Sequence, residues 1–147
     1  MITILQNKEV TDRILFELKE GDEIVQTVET SNVKELLFFG DQCNVYKSRV
    51  ADFKDTKTSV MGDYIPSKLG FDEGESVIDM IVLKPELDIL TVTEKGYAKR
   101  SKPEDYRLQG RRGKGVKAGV FNDKTGMVVA LRSITAENDI LAISAEG

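Results

Sequence analysis

The residues best suited to chemistry in this 147-residue chain form one glycine-rich basic loop, Gln109-Gly110-Arg111-Arg112-Gly113-Lys114-Gly115. Glycines at 110, 113 and 115 remove Cβ atoms, so backbone N–H groups can approach an oxyanion, while Arg111, Arg112 and Lys114 add charge and donors. That is chemistry for holding phosphate. A nucleotide-binding P-loop is excluded, because it needs serine or threonine after the lysine and Gly115 stands there. The chain has no histidine and a single cysteine, Cys43. The usual zinc arrangements, histidine-activated nucleophiles and an internal disulfide are therefore ruled out. No catalytic residue, metal or cofactor is expected, and the pair Glu104-Asp105 carries no sign of a pocket.

Charge points the same way as the loop once its distribution is considered. The net charge is −4, yet from Lys95 to Lys117 there are nine Lys or Arg against Glu104 and Asp105, so this stretch carries +7 and the remainder −11. A field that decays over about 8 Å at physiological salt makes the local value the relevant one. Lys99, Arg100 and Lys102 follow the preceding turn, and Arg107 and Lys117 flank the loop, so all can extend one basic surface. The acidic remainder, including Glu17–Glu23 and Asp72–Glu75, reads as solvated turns. No apolar run approaches the roughly 20 residues of a membrane span, and no leader peptide is visible, so a cytoplasmic location is expected.

The elements that must position the loop are repeated. Leu36-Leu37-Phe38-Phe39 aligns on Ile89-Leu90-Thr91-Val92, and the alignment runs without a gap to Phe53 on Tyr106, a period of 53 residues. The segments Gly21–Val25, Gly74–Ile78 and Gly126–Val129 recur at spacings of 53 and 52 residues, and a third start falls at Ile140–Ile143. Residues 1–34 therefore read as the tail of one unit, 35–88 and 89–138 as two full units, and 139–147 as the start of another. The pattern suggests a piece of a longer array, whose cut edges would invite a non-biological oligomer. Short apolar runs at Ile14–Phe16, Ile24–Val28, Leu36–Phe39, Val77–Leu83, Ile89–Val92, Met127–Leu131 and Ile140–Ile143 are expected strands, separated by hairpin-sized turns. Val50–Leu69 and Pro103–Val116 are expected connections. About four strands in about 50 residues is the pattern of a propeller-like blade. Phe53 and Tyr106 read as core anchors, Cys43 as a turn residue in the position of Gly96, and Gly115, which falls on Gly62, as a backbone requirement. Arg111, Arg112 and Lys114 fall on Thr58, Ser59 and Met61, so their charge is an addition to the repeat.

Gly96-Tyr97-Ala98-Lys99-Arg100, then Tyr106, then Gln109 through Lys117, together with Met127–Leu131 and Asp139–Ser144, resembles the C-terminal domain of the DNA gyrase A subunit. The resemblance covers residues 35–147, and the first 34 only through Gly21–Val28. It implies an all-β pinwheel, a propeller-like disc of four-stranded blades exchanging strands with their neighbours, of which this chain would supply about half. It further implies that duplex DNA wraps the basic outer rim, with Lys99, Arg100, Lys102, Arg107, Gln109, Arg111, Arg112, Lys114 and Lys117 as contacts. The chain would be a non-catalytic part of a type II topoisomerase, partnered by the rest of the gyrase A subunit together with the gyrase B subunit. ATP and magnesium would be used elsewhere in that enzyme. The family's box reads Gln-Arg-Arg-Gly-Gly-Lys-Gly; here Gly110 and Arg112 depart from it, which suggests the degenerate box of a later blade. The corresponding part of topoisomerase IV, a protein-interaction scaffold and a single-strand binder are the other readings. The last would need exposed aromatics, and only Tyr97 and Tyr106 are near the patch.

Overall fold

A computed structural model describes residues 23, 25, 26, 28–31, 33–54, 62–106, 115–117 and 123–143. Their strands are β1 (Glu35–Gly40), β2 (Asn44–Arg49), β3 (Val77–Val82), β4 (Asp88–Thr93), β5 (Ala98–Ser101), β6 (Val116–Lys117) and β7 (Val128–Ile134). They form two antiparallel sheets, ordered β3-β1-β2-β6 and β5-β4-β7. One short helix, α1 (Ile65–Leu69), starts with Pro66 in its first turn and stops at Gly70, whose φ of 71° only glycine adopts freely.

The two units repeat in hydrogen-bond register as well as in sequence. Leu36 faces Ser48 and Phe39 faces Val45 in the first, while Ile89 faces Ser101 and Val92 faces Ala98 in the second, each pair displaced by the same 53 residues. The turns repeat too: Cys43 at φ 65° corresponds to Gly96 at φ 80°, so the reading of Cys43 as a turn residue holds. After each second strand the chain makes one 3-10 turn, at Val50–Asp52 and Pro103–Asp105. The Asp52 carboxylate accepts from the Arg49 amide at 3.1 Å and Asp105 from the Lys102 amide at 2.9 Å. Both strand ends are thus closed by the same local bond.

For the third strands the sequence alignment is one residue out. Gly40 pairs with Val77 and Thr93 with Val128, each after a register shift at the preceding residue, so the structural displacement here is 51 residues. The match of Gly74 to Gly126 follows turn glycines instead: both have positive φ, but they precede their strands by different lengths. A one-residue slip matters because it would reverse the faces of every side chain on the strand.

Alternation within β1 sends Leu37 and Phe39 to one face and Leu36 and Phe38 to the other. Leu37, Phe39, Cys43 and Val45 pack against Ile89, Tyr106, Val128 and Leu131 of the second unit, joining the sheets face to face. Leu36, Phe38 and Tyr46 pack under Val50, Phe53 and Ile65, with Phe71 beside them. Each fully buried aliphatic or aromatic side chain contributes roughly 1.5–3 kcal/mol. Phe53 and Tyr106, the expected anchors, are each 4% exposed. Tyr106 meets Phe39 edge-on at 6.3 Å, and Phe53 meets Phe38 at 5.7 Å. Both aromatics thus pack on β1, Phe53 on the face of Phe38 within its own unit and Tyr106 on the face of Phe39 across to the first unit.

Several expected elements differ. Val25, Gln26 and Val28 lie outside any strand, as do Ile140–Ile143. Leu141 is 84% and Val25 87% exposed; neither run has a paired strand among the described residues, and an apolar run needs one to satisfy its backbone groups as a strand. Ile14–Phe16 falls outside the described residues. Strands β2 and β5 were not among the expected apolar runs, because Asn-Val-Tyr-Lys-Ser-Arg and Ala-Lys-Arg-Ser are largely polar. The connection Val50–Leu69 contains α1 and a 3-10 turn rather than loop alone.

Candidate nucleic-acid interface

The expected contact residues divide into three groups. Lys99 and Arg100 are exposed on β5, and Lys102 is exposed just beyond it. The backbone of Lys117 lies in β6, paired with Asn44. Arg107, Gln109, Arg111, Arg112 and Lys114 lie outside the described residues.

Sheet order brings the described members to one side. β3 lies against β7, and β5 and β6 are the strands at the opposite ends of their sheets from β7 and β3. The chain is thus in the second sheet at β5 and in the first at β6. This is a strand contributed by one unit to the sheet of its neighbour. Gly115 makes that entry possible: a Cβ there would lie 2.8 Å from Tyr46 Cζ and 2.9 Å from Asn44 Cβ. The expectation that Gly115 serves close approach is met.

Charges on this side are unequal in availability. Arg100 Nε donates to the Asp88 carboxylate, reproducing the Lys47–Glu35 ion pair of the first unit, whose separation is 2.8 Å. The Arg100 charge is thus shared with the repeat and partly neutralised. Lys99 occupies the position of buried Tyr46, and adjacent strand residues point to opposite faces, so Lys99 and Arg100 diverge. Lys95 donates to the Asp123 carbonyl at the turn. Tyr97 is 45% exposed whereas Tyr106 is core; a base-stacking platform has only one aromatic to draw on between these two.

Sequence reasoning misread one carboxylate. Glu75, assigned to a solvated acidic turn, is 4% exposed. Its Oε2 accepts from the Tyr46 hydroxyl at 2.7 Å, Asn44 Nδ2 at 3.2 Å and the Asp72 amide at 3.1 Å. Asn44 also donates to Asp72 at 3.2 Å, and Phe71 stacks on Tyr46 at 4.0 Å. Burial, then the bond to Glu75, pushes the Tyr46 phenol well above its ordinary pKa. Room for Glu75 exists because Gly40 lacks a Cβ, which would stand 2.0 Å from Glu75 Oε1. That glycine was the available signal. In the second unit Tyr97 and Lys99 stand at the positions of Asn44 and Tyr46, so the network is not repeated.

Among the described residues there is no group of three potential metal ligands, and no helix is long and apolar enough to cross a membrane.

Two face-packed sheets of repeated register, with a strand passed between them, define a protein of propeller-like blades. Residues 34–84 and 87–135 match the family described as DNA gyrase C-terminal domain, beta-propeller, and the chain belongs to that family. The DNA gyrase A subunit of Staphylococcus aureus strain MRSA252 is 29% identical over 140 residues, covering 92% of this chain and 15% of that protein. Its counterpart in strain COL matches equally, at 29% over 140 residues. The chain thus spans about 15% of the length of these relatives. The crystal structure of the C-terminal domain of DNA topoisomerase IV shares the fold, with a TM-score of 0.66 at 23% identity over 84% of this chain and 38% of that one.

Proposed function

We propose that the chain binds duplex DNA through its β5–β6 side and bends it along the blades, as a non-catalytic part of a gyrase-type topoisomerase that supports supercoiling. The observation that carries this reading is the gathering of nine basic residues between Lys95 and Lys117, of which Arg111, Arg112 and Lys114 have no basic counterpart in the first unit, in the stretch that links β5 to β6. Lys99, Lys102, Arg107, Arg111, Arg112, Lys114 and Lys117 are the principal contacts, with Gln109 donating from its amide and Arg100 weakened by Asp88. Phosphate interactions position DNA without reading sequence, and each further phosphate met along a curved path offsets part of the cost of bending. Units 35–88 and 89–138 act as successive blades, with 1–34 and 139–147 belonging to their neighbours. The partners are the rest of the gyrase A subunit and the gyrase B subunit.

The test is fluorescence anisotropy with duplexes of unrelated sequence over a salt series. If about five basic residues meet phosphate, log affinity falls against log salt with a slope of roughly −4 to −5. Replacing Arg111, Arg112 and Lys114 by alanine weakens all duplexes alike and reduces the slope by about 3. Superimposable curves for native and triple-variant protein refute the assignment.

A further inference from the structure

We propose that the cleft between the two units, bordered by Lys34, Lys47 and Arg49, is a phosphate site through which the first unit makes its own contact with the duplex backbone. The proposal rests on the reading of the chain as a duplex binder. Alternation along β1 and β2 puts Glu35, Lys47 and Arg49 on the face that carries Leu37, Phe39 and Val45, which is the face packed on the second unit. Where β1 begins and β2 finishes, this apolar interface therefore gives way to charge. A cleft of about 600 Å³ opens there, lined by Lys34, Lys47 and Arg49 of the first unit and by Pro103 and Glu104 from the turn after β5. Leu83, buried in the core between the units, forms part of the same wall.

The three bases are not equivalent. Lys47 is committed to Glu35 at 2.8 Å, whereas exposed Lys34 and Arg49 have no carboxylate partner among the described residues. Their backbones are fixed: the Lys34 carbonyl accepts from the Val50 amide at 3.0 Å, and Arg49 pairs with Glu35 across the ladder while its amide donates to Asp52 at 3.1 Å. Two unneutralised cations are thus held beside a cleft whose wall is partly apolar, a boundary that focuses their field. The guanidinium fork of Arg49 suits an oxyanion, and the Lys34 ammonium adds a second charge. Glu104 opposes them, yet three bases against two carboxylates leave the cleft at +1. The arrangement also recurs. Arg49 corresponds to Lys102, each directly before a 3-10 turn, and Lys47 to Arg100, each paired with the acidic residue of its hairpin, Glu35 or Asp88. In both units one base is held by a carboxylate and the next is exposed, so a phosphate backbone following successive units meets an equivalent cation in each.

Combining Lys34→Gln with Arg49→Gln tests the cleft while leaving the Lys47–Glu35 pair in place. In duplex anisotropy over a salt series, the double variant is expected to bind all sequences several-fold more weakly, with a slope reduced by about 2, equivalent to two phosphate contacts. Lys54→Gln, a charge loss next to Phe53 on the α1 side of the first sheet, leaves the slope unchanged. A double variant with the native slope, or one no flatter than Lys54→Gln, overturns the cleft's part in the duplex path. Inorganic phosphate titrated into the DNA-free native protein provides the second readout: the amide NMR resonances of residues 34, 35 and 49 shift, and that of Lys54 does not. If native protein binds no duplex, the DNA reading falls and this titration decides the cleft alone. Selective shifts then keep it as a site for free phosphate, and their absence overturns it.

Discussion

The same substitution, tyrosine to phenylalanine, is expected to have opposite signs at Tyr46 and Tyr106. Both residues are nearly inaccessible, at 1% and 4%, so loss of apolar contact is negligible in either case. Only the hydroxyl differs. At Tyr46 it donates at 2.7 Å to Glu75, and hydrogen bonds to charged groups contribute about 1.5–3 kcal/mol. Its removal also leaves Oε2 with two weaker donors at 3.1 and 3.2 Å. Tyr46→Phe should therefore cost about 2 kcal/mol, lowering Tm by roughly 4–8 °C at this chain length. The Tyr106 hydroxyl is buried and has no partner among the described residues, and the first unit already has Phe53 there. Burying an unpaired hydroxyl costs about 1–3 kcal/mol in mutational data, so Tyr106→Phe should gain about 1 kcal/mol, or roughly 2–4 °C. Urea melts with linear extrapolation measure both, with equal slopes confirming that two-state unfolding is preserved. A neutral Tyr46→Phe, or a Tyr106→Phe that destabilises by more than about 1 kcal/mol, would refute the reasoning for that hydroxyl.

The raised phenol of Tyr46 makes stability pH-dependent at the alkaline end. An acid with a higher pKa folded than unfolded contributes fully below its unfolded value, so native stability is level up to about pH 10 and then falls; Tyr46→Phe should flatten that fall in pH-resolved melts. Asp63 behaves in the opposite sense, because its 2.9 Å bond to Lys68 lowers its pKa. Its contribution is present above about pH 4 and is lost as pH drops, and Asp63→Asn should cost under about 1 kcal/mol at pH 7 and nothing in strong acid, as expected for a partly exposed pair. Gly96→Ala should cost about 1–2 kcal/mol from its φ of 80° alone, since the space around it is open. Gly126→Ala should cost more in the same denaturation assay, because its Cβ would also stand 2.3 Å from Glu94 Cγ and disturb the Glu94 bond to the Met127 amide.

Much of the fold was legible because the repeat made the chain its own comparison. The ungapped stretch from Leu36 to Phe53 reproduces the β1–β2 and β4–β5 registers, and it recovers β2 and β5, whose polar sequences conceal them. The third strands were harder. Their lead-in turns differ in length, so the conspicuous glycines at 74 and 126 lie one residue out of structural phase. Ile140–Ile143 has the composition of β4 but no partner strand among the described residues, and composition cannot specify pairing. Glu75 was illegible for a related reason: its burial depends on Tyr46 and Asn44, about 30 residues away, and nothing local in Asp-Glu-Gly-Glu separates it from its solvated neighbours. The candidate site was legible as charge. Its unequal members were not, since the Arg100–Asp88 pair emerges only when β4 and β5 lie side by side.

That pair also decides how an acidic chain can hold a polyanion. Carboxylates that neutralise the rim must lie within a few ångströms of it, because screening removes anything much beyond about 8 Å. Asp88 does so for Arg100, and Asp105 is held by the Lys102 amide, with its charge directed at backbone rather than at a lysine side chain. Glu75 is turned inward onto Tyr46. These three carboxylates are thus committed to internal donors, while exposed Glu104, between Lys102 and Asp105, remains to offset part of the patch. It follows that Asp88→Asn should strengthen duplex binding and steepen its salt dependence by about 1, by releasing Arg100 to phosphate. An unchanged slope in that variant would show that Arg100 points away from the DNA path, and that β5 contributes through Lys99 and Lys102 alone.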